Sequence, residues 1–128
     1  MELVKRLGVW MDHSNAILID VDAGKIVQRI DSTFTHQVKT QALSHNESGM
    51  HHKEHQLQNQ YYKAIAEAIV NYNKVLLFGP TDAKKELHNY LLKDEHYSHI
   101  KLQIKSADKM TDKEKIEFTK DYFLKLLQ

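Results

Sequence analysis

The stretch "SHNESGMHHKEH", Ser44 to His55, gathers side chains able to do chemistry, and five of the nine histidines lie between His36 and His55. Imidazole is a good ligand for Zn²⁺ or Ni²⁺ and titrates near neutrality. A helix beginning near His51 would put His51 and His55 on one face, and His52 with His55 likewise. Glu47 or Glu54 could add a carboxylate. Yet "HHKEH" lacks the glutamate placement of the H-E-x-x-H zinc pattern, and spacing assigns no further ligand, so His51, His52 and His55 are weak metal candidates. A solvated polar loop is a second use of the same residues. Contact with RNA is a third: Lys39, Lys53 and protonated histidines, His45 among them, could meet phosphates. Tyr61 and Tyr62 follow; a single apolar helix face makes Tyr61 core and leaves Tyr62 as the exposed stacking candidate.

The elements around this tract have to position it. A chain of 128 residues predicts one domain, 1–128, able to bury a sizeable core. A hydrophobic share of 41% with 27% charged residues suits an ordinary globular protein and not a disordered or membrane-spanning one. The net charge of +1 provides no global field for nucleic acid or membrane, so any such contact must be a local patch. Zero cysteines exclude disulfides, iron–sulfur clusters and thiol catalysis. "MELVKRLGVWMDHS" has no apolar core of signal-peptide length, and no run approaches a membrane span. The expectation is a cytoplasmic protein with no membrane contact and no cofactor; nothing sets its oligomeric state.

"LGVWMD" and "NAILIDV" read as two strands joined at His13 and Ser14. "DAGK" then has turn chemistry, and "KIVQRID" alternates Ile26, Gln28 and Ile30 against Val27, Arg29 and Asp31, a third strand with one wet face. Over about 33–52 no period holds, which predicts a flexible loop, the candidate interaction element. From about Lys53 a helical pattern sets in, with Leu57, Tyr61, Ile65, Ile69 and Tyr72 on one face. "KVLLFG" is a strand buried on both sides. "PTDAKKELHNYLL" opens with Thr81 and Asp82 as N-cap candidates and turns Leu87, Leu91 and Leu92 inward. "HIKLQIK" alternates Ile100, Leu102 and Ile104; Thr111 with Glu114 forms a capping box, and its helix buries Ile116, Phe123 and Leu127. Trp10 reads as core, and the lysines at 84, 85, 93, 109, 113 and 115 as solvated helix faces. The order βββ-loop-αβαβα predicts an α/β, ribonuclease H-like, mixed five-stranded sheet with helices on its faces.

Two functional readings attach to that order. In the first, acidic residues at the ends of strands and on the first helix hold two divalent ions: Asp12, Glu54 or Glu67, Asp82, and Asp108 or Asp112, with Glu67 and Asp112 preferred. Each has an ordinary use as well, Asp12 in closing the turn at Ser14 and Asp82 in starting a helix. The second is a resemblance. Tyr61 to Leu91, "YYKAIAEAIVNYNKVLLFGPTDAKKELHNYL", is similar to the central domain of the eukaryotic and archaeal class-1 peptide-chain release factors and their Pelota relatives. There too, a helix ending in "A-E-x-x" precedes an apolar strand, a glycine and a helix opening with "K-x-E-L". "GVWMDHSNAILI" resembles the first hairpin of bacterial proteins grouped with that superfamily.

The resemblance implies a ribonuclease H-like fold without the metal site, acting in translation. In the release factors the loop before the first helix carries a Gly-Gly-Gln tripeptide that positions water on the peptidyl-tRNA ester. The nearest approach here is "SGMHH": Gly49 is present, but Met50 and His51 replace the second glycine and the glutamine. Methionine disfavours the positive φ that glycine permits, and neither replacement supplies the glutamine's amide. The implied role is therefore non-catalytic, with ribosome or tRNA bound through His45, Gly49, Met50, His51, His52, Lys53, His55 and Tyr62. A metal-dependent nuclease, and a metal-binding or self-associating module, stay open as alternatives.

Overall fold

The computed structural model describes residues 4–32 and 47–126, with side chains in the second stretch from Gln56 to Lys125. A meander comes first, of β1 (Arg6–Met11), β2 (Asn15–Asp20) and β3 (Lys25–Asp31). The Asp12 carboxylate closes its first turn by accepting from the Ser14 and Asn15 amides, each at 2.8 Å. Gly24, at φ 67, makes the second turn, and its amide donates to the Asp20 carbonyl at 2.8 Å.

Then follow α1 (Glu47–Ile69), β4 (Lys74–Gly79), α2 (Ala83–Leu92), a 3-10 turn (Glu95–Tyr97), β5 (Lys101–Ser106) and α3 (Asp112–Leu126). The sheet runs β3-β2-β1-β4-β5, antiparallel within the meander and parallel where β4 joins β1 and β5. This is the ribonuclease H-like α/β arrangement expected from the order of elements. Thr111 and Glu114 form the expected reciprocal cap at 3.1 and 3.2 Å.

Alternation along β4 divides the interior in two. Val75 and Leu77 join Leu7, Val9, Met11 and Leu18 under α1 and α2, where Tyr61, Ile65, Ile69, Leu87 and Leu91 close the first core. Leu76 and Phe78 join Trp10, Ile17 and Ile19 under Phe123 of α3. Phe78 is fully buried and stacks on Phe118 at 4.7 Å between centroids; burying such a side chain stabilises by about 2–3 kcal/mol. Where α3 crosses β1 a side chain has no room. A Cβ on Gly8 would lie 2.3 Å from the Thr119 hydroxyl. Gly79, at φ 151, is held even more tightly: a Cβ there would lie 2.1 Å from the Met11 carbonyl oxygen.

Several expectations are corrected. The helix starts at Glu47, not near Lys53, so 47–52 belong to α1 and not to a loop; 33–46 lie outside the described residues. A helix already docked by Tyr61, Ile65 and Ile69 extends at little cost through Glu, Met and Lys, because each added residue gains one hydrogen bond. Ile26 and Ile30 do not share a face. The β2–β3 register shifts between Leu18 and Ile19, leaving Val27 without a partner opposite it. That extra residue reverses the pleat, so Ile30 packs on the first core and Ile26 on the second. Leu92, expected inward, is 66% exposed. Lys84 and Lys115, read as solvated, are buried. Leu127 lies outside the described residues. No helix among the described residues is long and apolar enough to cross a membrane.

Candidate functional site

At the carboxyl ends of β1 and β4, three elements are tied together by side chains. The Tyr61 hydroxyl donates to the Asp12 carbonyl at 2.9 Å, fixing α1 to the β1–β2 turn. One helical position on, the Tyr62 hydroxyl donates to Glu86 Oε1 at 2.7 Å, and the Gln58 amide donates to the Tyr62 oxygen at 3.2 Å. The other Glu86 oxygen lies 3.2 Å from His13 Nε2. A carboxylate from α2 thus joins the first turn of the meander to the first helix. His13 and Glu86 keep 42% and 45% of their side chains exposed, so the bridge lines an open rim.

Both phenols are held neutral. Burial pushes the Tyr62 hydroxyl well above the ordinary phenol range, and the Glu86 hydrogen bond adds to it. Burial does the same to Tyr61, with the Asp12 charge second. Both are donors at any physiological pH, which suits positioning and leaves them unsuited to act as bases. Tyr62 was expected to be the exposed, stacking member of the pair; it is 4% exposed. The reason is that α2 packs over α1 on the same face of the sheet, so a second side of α1 is covered besides the one facing the strands. Tyr90 of α2 completes the contact, its ring centroid 6.3 Å from that of Tyr62.

Beside the bridge, α1 and α2 enclose a groove of about 480 Å³ lined by Gln58, Asn59, Tyr62, Asn89, Tyr90 and Lys93, with Glu86 at its end. Its amides, hydroxyls and single ammonium can donate and accept hydrogen bonds, as recognition of a base edge or a peptide requires. It offers geometry for binding. Sequence reasoning missed Glu86, Asn89 and Tyr90. Their signal was faint: Glu86 lies four residues after Asp82, in the first turn of the helix that follows β4, near the strand ends where ligands of open α/β sheets gather.

The proposed nuclease carboxylates are not brought together. Asp12 is engaged in its turn, and Asp82 is exposed, 3.8 Å from Lys85. Glu67 is exposed on α1, a turn and more beyond Tyr61. Asp112 lies on the α3 side, paired with Arg29 at 2.6 Å. Among the described residues no three histidine, aspartate or glutamate side chains are grouped so as to hold a metal ion. His45 lies outside the described residues; Gly49, Met50, His51, His52, Lys53 and His55 fall on the first turns of α1, their side chains outside what is described. Ahead of Tyr61, α1 carries fourteen residues, about 20 Å of helix at 1.5 Å per residue.

No family model matches the chain, and no curated protein does. Solved structures do. Pelota from Archaeoglobus fulgidus superposes with a TM-score of 0.63 over 98% of this chain and 33% of its own, at 9% identity. The chain has the Pelota and release-factor fold. Pelota from Thermoplasma acidophilum superposes with a TM-score of 0.52 over 86% of this chain and 29% of its own, at 15% identity. The archaeal translation termination factor aRF1 gives 0.53 over 96% and 39%, at 8% identity. The Pelota- and aRF1-like fold therefore accounts for nearly all of this chain, while the chain spans about a third of the length of those proteins.

Proposed function

We propose that this chain is a single, non-catalytic, cytoplasmic domain of the translation machinery, which binds the ribosome or tRNA. The observation that carries the proposal is the superposition of 98% of the chain on a Pelota protein. One protein of this fold, aRF1, is named a translation termination factor and supports the process, and the replacement of a Gly-Gly-Gln tripeptide by Gly49, Met50 and His51 favours binding over ester hydrolysis.

The contact surface in this reading is the first part of α1, with Gly49, Met50, His51, His52, Lys53 and His55, together with His45, which precedes it in sequence, and the α1–α2 groove. Tyr62 serves from below, holding Glu86 and His13 in place rather than stacking on a base. The test is sedimentation of purified protein with ribosomes through a sucrose cushion. Deleting residues 44–52 should abolish pelleting while leaving the melting transition in place. Equal pelleting of the deleted protein would move the contact elsewhere, and no pelleting of the intact chain would end the reading.

A further inference from the structure

The helix on the second face does not cover the whole sheet. α3 packs across β1, β2 and β3 and reaches β4, where Leu76 and Phe78 cluster with Phe118 and Phe123. The open part of that face therefore lies along β5, where Lys101, Gln103 and Lys105 are exposed. The pleat decides what lines the opening. Lys74 pairs with Lys101, Leu76 with Gln103 and Phe78 with Lys105. Since Leu76 and Phe78 point into the second core, Lys74, Lys101, Gln103 and Lys105 stand on that same face. The flank of α3 forms the wall, bringing Tyr122 and Lys125. Two adjoining hollows of about 340 and 230 Å³ share Tyr122. Lys105 Nζ lies 5.5 Å from the centre of the Tyr122 ring.

Four lysines line this groove against one acid, Asp121, in a chain whose overall charge is only +1. Lysines on an edge strand also discourage sheet-to-sheet aggregation. That explains Lys101 and Lys105 but not Lys74, Lys125, the half-buried tyrosine or the concavity. Residues two apart on a strand are about 7 Å apart, so Lys101, Gln103 and Lys105 form a row on the scale of successive nucleotides. A basic groove with an aromatic plane and an amide has the chemistry of a single-strand binder.

We propose that the groove between β5 and α3 binds single-stranded RNA. Lys74, Lys101, Lys105 and Lys125 meet phosphates, Tyr122 stacks on a base and Gln103 reaches a base edge. This surface lies on the opposite face from the α1–α2 groove. It rests on the translation reading only for the source of the RNA.

Fluorescence anisotropy of a labelled short oligouridylate, titrated with the full chain over a series of salt concentrations, tests it. The exposed pair is reversed in K101E/K105E, and K63E/K85E makes the same charge change on α1 and α2. K101E/K105E should weaken binding about tenfold or more and lower the slope of log K against log salt by about 1.4, the value for two lost single-strand phosphate contacts. K63E/K85E should bind like the parent. Tyr122→Leu should weaken oligouridylate binding and leave inorganic polyphosphate binding unchanged. Equal weakening by both double variants, or no binding by the parent at low salt, overturns the proposal. Displacement of the RNA by poly-glutamate with no effect of Tyr122→Leu also overturns it, in favour of an acidic protein partner. Sedimentation separates the two readings. Ribosome pelleting that survives K101E/K105E alongside undiminished oligouridylate binding refutes this groove alone. Loss of oligouridylate binding in a protein that never pellets with ribosomes refutes the translation reading alone.

Discussion

The Tyr62 hydroxyl reaches Glu86 Oε1 at 2.7 Å, and through Glu86 it is connected to His13, which follows β1 by two residues. Three elements distant in sequence meet on one carboxylate. Removing the hydroxyl alone in Tyr62→Phe leaves the ring's packing and deprives Glu86 of its donor. The expected loss is about 1–2 kcal/mol, read as a lower midpoint in urea with an unchanged slope. His13→Ala should cost less, because that contact is exposed. A larger loss for His13→Ala would reverse this ranking.

Alkali should unfold the protein through its tyrosines. Tyr72 donates to Asp20 at 2.9 Å, and burial, with that hydrogen bond second, pushes its hydroxyl from 10.0 up to about 12. Tyr61 and Tyr62 shift in the same direction. In each the folded state holds the proton more tightly than the unfolded chain. The sign follows: their contribution is complete below about pH 10 and is lost as pH rises through the folded values. Spectrophotometric titration should find Tyr72 ionising near pH 12 and the other two only on unfolding. Phenolate absorbance growing to completion near pH 10 in folded protein would contradict this.

Acid acts on the other face. The Arg29 guanidinium holds the Asp112 carboxyl below the usual carboxylate range, with Lys115 assisting. The stabilisation this gives is complete above the unfolded pKa of 3.8 and is lost as pH falls from there through the lower folded value. Arg29→Ala should move the Asp112 carboxyl back towards its ordinary value in an NMR titration and flatten the acid limb of the stability curve. An unmoved resonance would show that the pair does not persist in solution.

Lys115 caps the lone tryptophan. Its Nζ lies 4.1 Å from the centre of the Trp10 ring, and Trp10 is 5% exposed. Lys115→Ala removes both the cation and the aliphatic stem over the indole, at a cost of about 1–2 kcal/mol. Trp10 emission should shift to the red and its quenching by acrylamide should rise. Emission identical to that of the parent would mean that the lysine does not shield the ring.

Gly8 and Thr119 form a fitted pair across β1 and α3. Gly8→Ala forces a methyl into the space of the Thr119 side chain and should destabilise by about 1–3 kcal/mol. The Thr119 Oγ1 and Cγ2 atoms lie 2.3 and 2.4 Å from that methyl position. Removing both in G8A/T119A should cost less than the sum of the two single changes, a coupling read in a double-mutant cycle. Additive losses would show that α3 shifts bodily instead.

What the sequence determined by itself was local and periodic. Short apolar runs marked β1, β2 and β4, alternation marked β3 and β5, four-residue spacing marked α1, and the Thr111–Glu114 cap announced α3, because each depends on neighbours along the chain. The pattern of Val75 to Phe78 also announced a strand buried on both sides. Tertiary structure decided what depends on contacts between distant residues. It set the phase reversal at Val27, the burial of Tyr62 under α2, and the burial of Lys115 against Trp10. It also set the start of α1, since helical propagation from a docked face is a cooperative property and not a local one. The same holds for both grooves. Glu86 and Tyr62 are 24 residues apart, and Lys74 meets Lys101 only through the β4–β5 register. A sequence displays such charges and hydroxyls separately; only the packing of helices on a twisted sheet determines which of them share a surface.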